Sequence, residues 1–243
     1  MFKQLIAAAA LFASGIASAS TDVEAILKKA DSFRLLENSA QVESLVQTYK
    51  GGQLDKEKRY QVLIKPHGKS LVLFRSPGEQ GQKVLMVGDD FWMIMPSSAR
   101  PIRITPLQKL LGDASTGDIA NMTWSGDYTG TLGQEVEING IPCLTLDLLA
   151  NRKSLSYQRI VLHVAKKDHR PVHADLFAQS NRKLKQARFD LEVRDGRTMV
   201  SKMTLIDEVQ TNRETVVTTL SSKPRELGAE IFNPMYLTRN DVK

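Results

Sequence analysis

Along most of the chain, apolar and polar residues alternate one by one. Between Leu184 and Arg194, the residues Ala187, Phe189, Leu191 and Val193 fall on one side of an extended segment, with Gln186, Arg188, Asp190 and Glu192 on the other. Leu144, Leu146 and Leu148 alternate with Thr145 and Asp147, and Ile160, Leu162 and Val164 alternate with Arg159 and His163. This pattern describes an antiparallel sheet with one dry and one wet face. Asn139-Gly140 and Asp195-Gly196 separate such segments, and both dipeptides accept the positive φ angles of a two-residue hairpin turn. Further strands are predicted over Gln41–Lys50, Lys56–Lys65, Lys69–Ser76, Gly81–Gly88 and Asp90–Pro96, each bounded by Gly, Pro or Asp. Helical spacing marks Val23, Ile26, Leu27, Ala30 and Phe33, which predicts one amphipathic helix over Thr21–Phe33 with Thr21 or Asp22 as its N-cap. Only two more short helices are expected, at Pro106–Leu111 and Gly117–Met122. So many strands and so few helices predict a mainly β protein, a strongly curved antiparallel sheet wrapped around a small helical plug.

The early strands break the alternation. Leu71–Phe74 reads LVLF, Val84–Val87 reads VLMV, and Asp90–Pro96 reads DFWMIMP, with Phe91, Met93 and Met95 on one side and Trp92 and Ile94 on the other. Two faces that are both apolar must both be covered, by a dimer or helix contact, or one of them must line a cavity. Methionine in a strand is more often plain core; the sharper alternative is the cavity, because its flexible thioether suits pockets that accept cargo of variable shape.

The amino terminus carries a different signal. Lys3 precedes an uncharged apolar run from Leu5 to Ala17, and Ala17-Ser18-Ala19 supplies small residues for a peptidase. A positive start, a short apolar middle and an A-x-A end describe a secretory signal peptide over residues 1–19, cleaved after Ala19. The run is shorter than the roughly 20 residues of a membrane span. No Cys stands at the cleavage site for lipid attachment. The expected product is a periplasmic protein forming one domain over residues 20–243, a size common for a single all-β domain. The net charge of +6 comes from 33 basic and 27 acidic side chains spread along the sequence, which fits a solvated surface better than a nucleic-acid footprint. The lone Cys143 lies in the apolar run IPCLTLDLL and is expected in the core.

Catalytic signatures are missing. The sequence has no G-x-S-x-G elbow, no H-E-x-x-H, no phosphate-binding loop and no G-x-G-x-x-G after a strand. Of the histidines His67, His163, His169 and His173, the last two are four apart on an extended segment, about 13 Å at strand rise, too far to share a metal. Asp89-Asp90 reads as a tight turn. No enzyme activity, catalytic residue, metal or cofactor is expected.

Four stretches occur in a telling order. They are W-M-I-M-P-S-S-A-R-P-I-R-I from Trp92 to Ile104, S-T-G-D-I-A-N-M-T-W-S-G-D-Y from Ser115 to Tyr128, R-P-V-H-A-D-L-F from Arg170 to Phe177, and I-F-N-P-M-Y-L from Ile231 to Leu237. Together they resemble the outer-membrane lipoprotein-sorting protein family, the LolA-like periplasmic carriers, over nearly the whole mature chain. The chain is longer than a minimal carrier of that kind and is similar to variants associated with envelope transporters. The resemblance implies a half-open LolA/LolB-like β-barrel with helices in its concave mouth, an apolar cavity beneath a helical lid, no cofactor and no reaction. It implies as partners the acyl chains of a lipid or lipoprotein, and an inner-membrane transporter or outer-membrane acceptor, without nucleic acid and without stable membrane insertion. On this reading Phe74, Met86, Trp92, Met93, Met95 and Phe189 are the candidate cavity residues. Arg100, Arg103, Leu107 and Leu110 are the candidates for lid or head-group contact, with Pro106–Leu111 either the lid or a static plug in the core, and exposed structural arginines the plainer reading of Arg100 and Arg103. The alternative is a regulatory module on the same fold that senses envelope stress or lipid.

Overall fold

The computed structural model describes residues 15–36, 38–105, 116–119 and 123–242. Helix α1 (Gly15–Ser32) leads into β1 (Ala40–Lys50), β2 (Gln53–Lys65), β3 (Lys69–Phe74), β4 (Lys83–Val87), β5 (Asp90–Ile94) and the short β6 (Ile102–Arg103). A helical turn α2 (Thr116–Ile119) precedes β7 (Tyr128–Ile138), β8 (Ile141–Ala150), β9 (Arg159–Ala165), β10 (Pro171–Phe177), β11 (Lys183–Arg194), β12 (Arg197–Asp207) and β13 (Arg213–Pro224). The chain then turns through Glu230–Phe232 into α3 (Pro234–Leu237). Among the described residues, thirteen strands form one sheet in the order β6-β5-β4-β3-β2-β1-β13-β12-β11-β10-β9-β8-β7. Two meanders, β1–β6 and β7–β13, are thus joined edge to edge by the antiparallel β1–β13 pair. Both predicted hairpin turns are present, with Asn139 at φ 51 and Gly140 at φ 77, and Asp195 at φ 49 and Gly196 at φ 76.

The sheet is curved, and one contact proves it. Asp89 in the β4–β5 turn accepts a hydrogen bond from Arg152 Nη1 at 2.8 Å, although Arg152 lies in the β8–β9 loop. Strands β4 and β9 stand eight positions apart in the sheet, which in a flat sheet would be about 38 Å at the usual strand spacing. The two flanks therefore close toward each other around the concave side. Helix α1 fills part of that hollow, packing Val23, Ile26, Leu27 and Ala30 onto the inward side chains of β7–β12, among them Leu146, Leu162 and Phe189. The described part of the helix reaches back to Gly15, so Thr21 and Asp22 lie inside it rather than capping it; Ala17, Ser18 and Ala19 include no helix breaker.

The doubly apolar early strands have a direct explanation. Their inner side chains Val62, Val72, Val84, Met86 and Phe91 form one cluster on the concave side. Their outer side chains Leu63, Leu71, Leu85 and Ile94 are covered by Leu227, Phe232 and Leu237 from the chain's own C-terminal segment. Asn233 caps α3, its Oδ1 accepting from the N–H groups of Met235 and Tyr236. Lys83, nearly buried, donates to the carbonyls of Leu237 at 3.2 Å and Asn240 at 3.4 Å at the other end. Cys143 is fully buried in the core, as its apolar run predicts, and burial pushes its thiol pKa up.

Candidate functional site

The end of α1 is pinned to the segment before β7 by a buried polar node. The Asp31 carboxylate accepts from the N–H of Trp124 at 2.9 Å, the N–H of Ser125 at 2.8 Å and the hydroxyl of Ser125 at 2.8 Å. Arg34 lies 3.5 Å from the same carboxylate and stacks 4.0 Å from the centre of the Trp124 ring. Burial pushes the Asp31 carboxyl above its ordinary pKa and the Arg34 guanidinium below its own, while their mutual attraction opposes both shifts. A second node holds α2. Asp118 pairs with Lys185 Nζ at 2.7 Å and accepts from the Tyr157 hydroxyl at 2.7 Å, with both charged side chains nearly buried.

Between these anchors the concave face encloses a cavity of about 260 Å³. Its floor is apolar, built from Leu36, Ala40, Val42, Ile64, Met86 and Phe91. Strand phase explains the set. Ala40 and Val42 share the buried side of β1, while Met86 is the direct cross-strand partner of both Ser70 and Phe91. The mouth is polar, formed by the β2–β3 turn from Lys65 to Lys69 and by Arg152 and Ser154 of the β8–β9 loop. Arg152 pairs with Asp127 and Asp89, and the Ser154 hydroxyl donates to Asp89. A smaller cavity of about 50 Å³ adjoins it, lined by Trp124, Tyr157, Phe189 and Met203, and shares Arg34 and Thr123 with the first. Outside the mouth, Lys65, His67 and Lys69 also line an open pocket of about 660 Å³ with Pro224, Arg225 and Glu226.

The residues named from sequence divide between these places. Met86 lines the larger cavity and Phe189 the smaller one, edge-on to Trp124 with ring centres 5.8 Å apart. Phe74 and Met93 pack against the same inner cluster, and Phe74 meets Tyr60 edge-on at 5.1 Å. Trp92 is corrected: it stands directly opposite Leu85 on the outer face, under the C-terminal segment, because alternation turns it away from Phe91 and Met93. Met95 is corrected as well, since it follows the end of β5 in a turn closed by the Ser98 N–H to the Met95 carbonyl and lines neither cavity. Arg100 and Arg103 are exposed at the sheet edge, with Arg103 paired to Asp90, and neither reaches the cavity. Leu107, Leu110 and the whole Pro106–Leu111 segment lie outside the described residues, and of the Gly117–Met122 helix α2 is the described part. Sequence reasoning missed Phe91, although its shared phase with Met93 was visible. It also passed over the Lys65–Lys69 turn, whose basic residues were the available signal.

Among the described residues, no group of three or more His, Cys, Asp or Glu side chains is placed to hold a metal ion. His163 and His173 sit on β9 and β10 with ring centres 5.8 Å apart, within a polar face that includes Thr145 and Asp175. His169 occupies a turn at φ 61.

Comparison with known proteins adds relatives to this geometry. A family model whose description reads "uncharacterized protein" matches residues 67–239. No curated protein matches the chain. A LolA superfamily protein from Nitrosomonas europaea is 32% identical, with a TM-score of 0.80 over 88% of this chain and 98% of its own. A DUF1329 family protein from Desulfovibrio piger is 22% identical, with a TM-score of 0.73 over 90% of this chain and 98% of its own. A putative outer membrane lipoprotein-sorting protein domain from Vibrio parahaemolyticus shares the fold at 17% identity, with a TM-score of 0.72 over 89% of this chain and 98% of its own.

Proposed function

The chain belongs to the LolA superfamily, and from that premise we propose that it is a periplasmic carrier that binds acyl chains of a lipid or lipoprotein and hands them between envelope components. The observation that carries this reading is the apolar-floored cavity of about 260 Å³ on the concave face. Its volume corresponds to roughly nine water molecules at ~30 Å³ each, and so to a similar number of methylene groups. At about 0.8 kcal/mol per buried methylene, such a stretch of acyl chain gains on the order of 7 kcal/mol before the costs of ordering. No reaction is assigned to the protein, and a membrane transporter or an outer-membrane acceptor is its expected partner.

A carrier must also let its cargo go. The flanks of the sheet meet at the mouth through Arg152, Ser154 and Asp89, with the Asp89 side chain more than half exposed. Exposed ion pairs of this kind contribute about 0–1 kcal/mol, so parting the flanks there costs little compared with the cargo's gain. Export through the signal peptide at residues 1–19 belongs to the same reading. Among the described residues no helix is long and apolar enough to cross a membrane.

The test is native mass spectrometry of protein purified from the periplasm, followed by solvent extraction and lipid analysis. Stoichiometric lipid or acylated peptide supports the carrier. A clean protein mass that takes up no added lipid refutes it.

A further inference from the structure

The concave cavity has an apolar floor, yet an arginine forms part of its wall. Arg34 lines both the larger cavity and the smaller one beside it. Its side chain is 12% exposed and stacks on the Trp124 ring. Its one hydrogen bond among the described residues runs from Nη1 to Asp31 Oδ1, at the long distance of 3.5 Å. A guanidinium carries five N–H donors, so most of them find no protein acceptor. Asp31 is already engaged by the N–H of Trp124 and by the N–H and hydroxyl of Ser125. The carboxylates at the mouth are engaged as well, Asp127 by Arg152 and the Thr123 hydroxyl, and Asp89 by Arg152 and Ser154.

Strand β3 shows the same deficit in the same cavity. Ser70 is only 6% exposed, and its hydroxyl has no hydrogen-bond partner among the described residues. It stands opposite Ile64 and Met86 on the inward face and lines the cavity. A buried donor without an acceptor is costly, and a buried cation that is poorly paired is costlier still. Burial pulls the Arg34 guanidinium below its ordinary pKa even with Asp31 beside it, so the protein's own groups leave its charge undercompensated. A ligand with an oxyanion at one end and hydrocarbon along the rest completes such a cavity.

We propose that Arg34 is the anchor of an anion site within the cavity, and that the cargo is a single-chain amphiphile whose carboxylate binds Arg34 while its chain lies along Ala40, Val42 and Met86. This inference rests on the carrier reading and narrows its cargo to fatty-acid chemistry. The planar fork of a guanidinium matches a carboxylate with two parallel hydrogen bonds. Asp31 beside the site selects against phosphate, because a second negative charge on the ligand would meet its repulsion where water screens little. Space for roughly nine methylene groups suits one chain rather than two or three.

The experiment is calorimetric titration of the purified, delipidated protein with decanoate, 1-decanol, decyl phosphate and acetate, the amphiphiles below their micelle concentrations. The alcohol leaves water more readily than the ionised acid, so a preference for the acid requires a charged partner in the protein. Decanoate should bind at least about tenfold more tightly than 1-decanol, and more tightly than decyl phosphate. In Arg34→Gln the preference over the alcohol should fall to within about twofold. In Asp31→Asn, which removes the competing charge, it should widen. Equal wild-type binding of acid and alcohol overturns the anion site and leaves the carrier standing, and a preference that survives in Arg34→Gln overturns the assignment to Arg34. Tighter binding of decyl phosphate overturns the carboxylate. Acetate binding as tightly as decanoate makes the site one for a free anion and overturns the amphiphile. Binding of none of the three amphiphiles overturns the carrier reading itself. Should Arg34→Gln fail to fold, Asp31→Asn decides: a wider preference supports the site, and an unchanged or narrower one overturns it.

Discussion

Replacing Ala40 with leucine should block the cavity without breaking the fold. Ala40 is 2% exposed, lies on the inward face of β1 beside Val42, and lines the cavity floor. Leucine adds three carbon groups, roughly a third of the methylenes that the space accommodates at ~30 Å³ each. Displacing three methylenes of cargo at about 0.8 kcal/mol each removes roughly 2.4 kcal/mol of binding, or about fiftyfold in affinity. Overpacking a filled core costs about 1–3 kcal/mol, but here the new carbons enter open volume, so stability should change by less than about 1 kcal/mol. Displacement of a fluorescent fatty acid reads the affinity, and urea unfolding reads the stability. Val193→Ala, at a side chain 70% exposed on β11, serves as the indifferent control. An Ala40→Leu protein of wild-type stability and unchanged affinity would refute the claim that acyl chains occupy this space.

Four other outcomes follow from the same geometry. Lys185→Met leaves Asp118 nearly buried and unpaired by its ammonium; it should cost about 3–5 kcal/mol in urea unfolding, and a loss below about 1 kcal/mol would contradict the burial of that pair. Asp89→Asn removes the charge that joins the flanks at Arg152; stability should shift by no more than about 1 kcal/mol, while a fluorescent fatty acid should dissociate faster in stopped flow, and an unchanged rate would mean that cargo leaves another way. His163 is held below its ordinary pKa by burial and then by His173, against Asp175. The unfolded chain therefore protonates first, so stability should fall as pH drops below about 6.5, and His163→Gln should flatten that slope in melts measured across the range. Cys143, fully buried with its thiol pushed up by burial, should resist Ellman's reagent in the native protein and react fully in denaturant; fast native labelling would contradict its place in the core.

The sheet was legible because its signal is local. Leu144–Leu148, Ile160–Val164 and Ala187–Val193 each declare an inward face by alternation alone, and the Asn139-Gly140 and Asp195-Gly196 turns fix which segments pair. The helix stripe at Val23, Ile26, Leu27 and Ala30 was equally plain, and all four side chains are buried. What joins the two meanders is not local. β1 pairs with β13 across more than a hundred and fifty residues, and neither strand advertises its partner. The second apolar face of β2–β5 was visible as an excess of hydrophobicity, yet its cover comes from Leu227, Phe232 and Leu237 at the far end of the chain. A dimer would have left the same pattern in the sequence.

The site follows the same division, and this explains which residues were found. Membership of an inward face depends on phase within one strand, so Met86 and Met93 were within reach, and phase also shows why Trp92 turns outward while Phe91 turns in. Membership of the cavity depends on curvature, which brings the β2–β3 turn, the end of α1 and the β8–β9 loop around one space. No pattern in any one of those segments encodes that meeting.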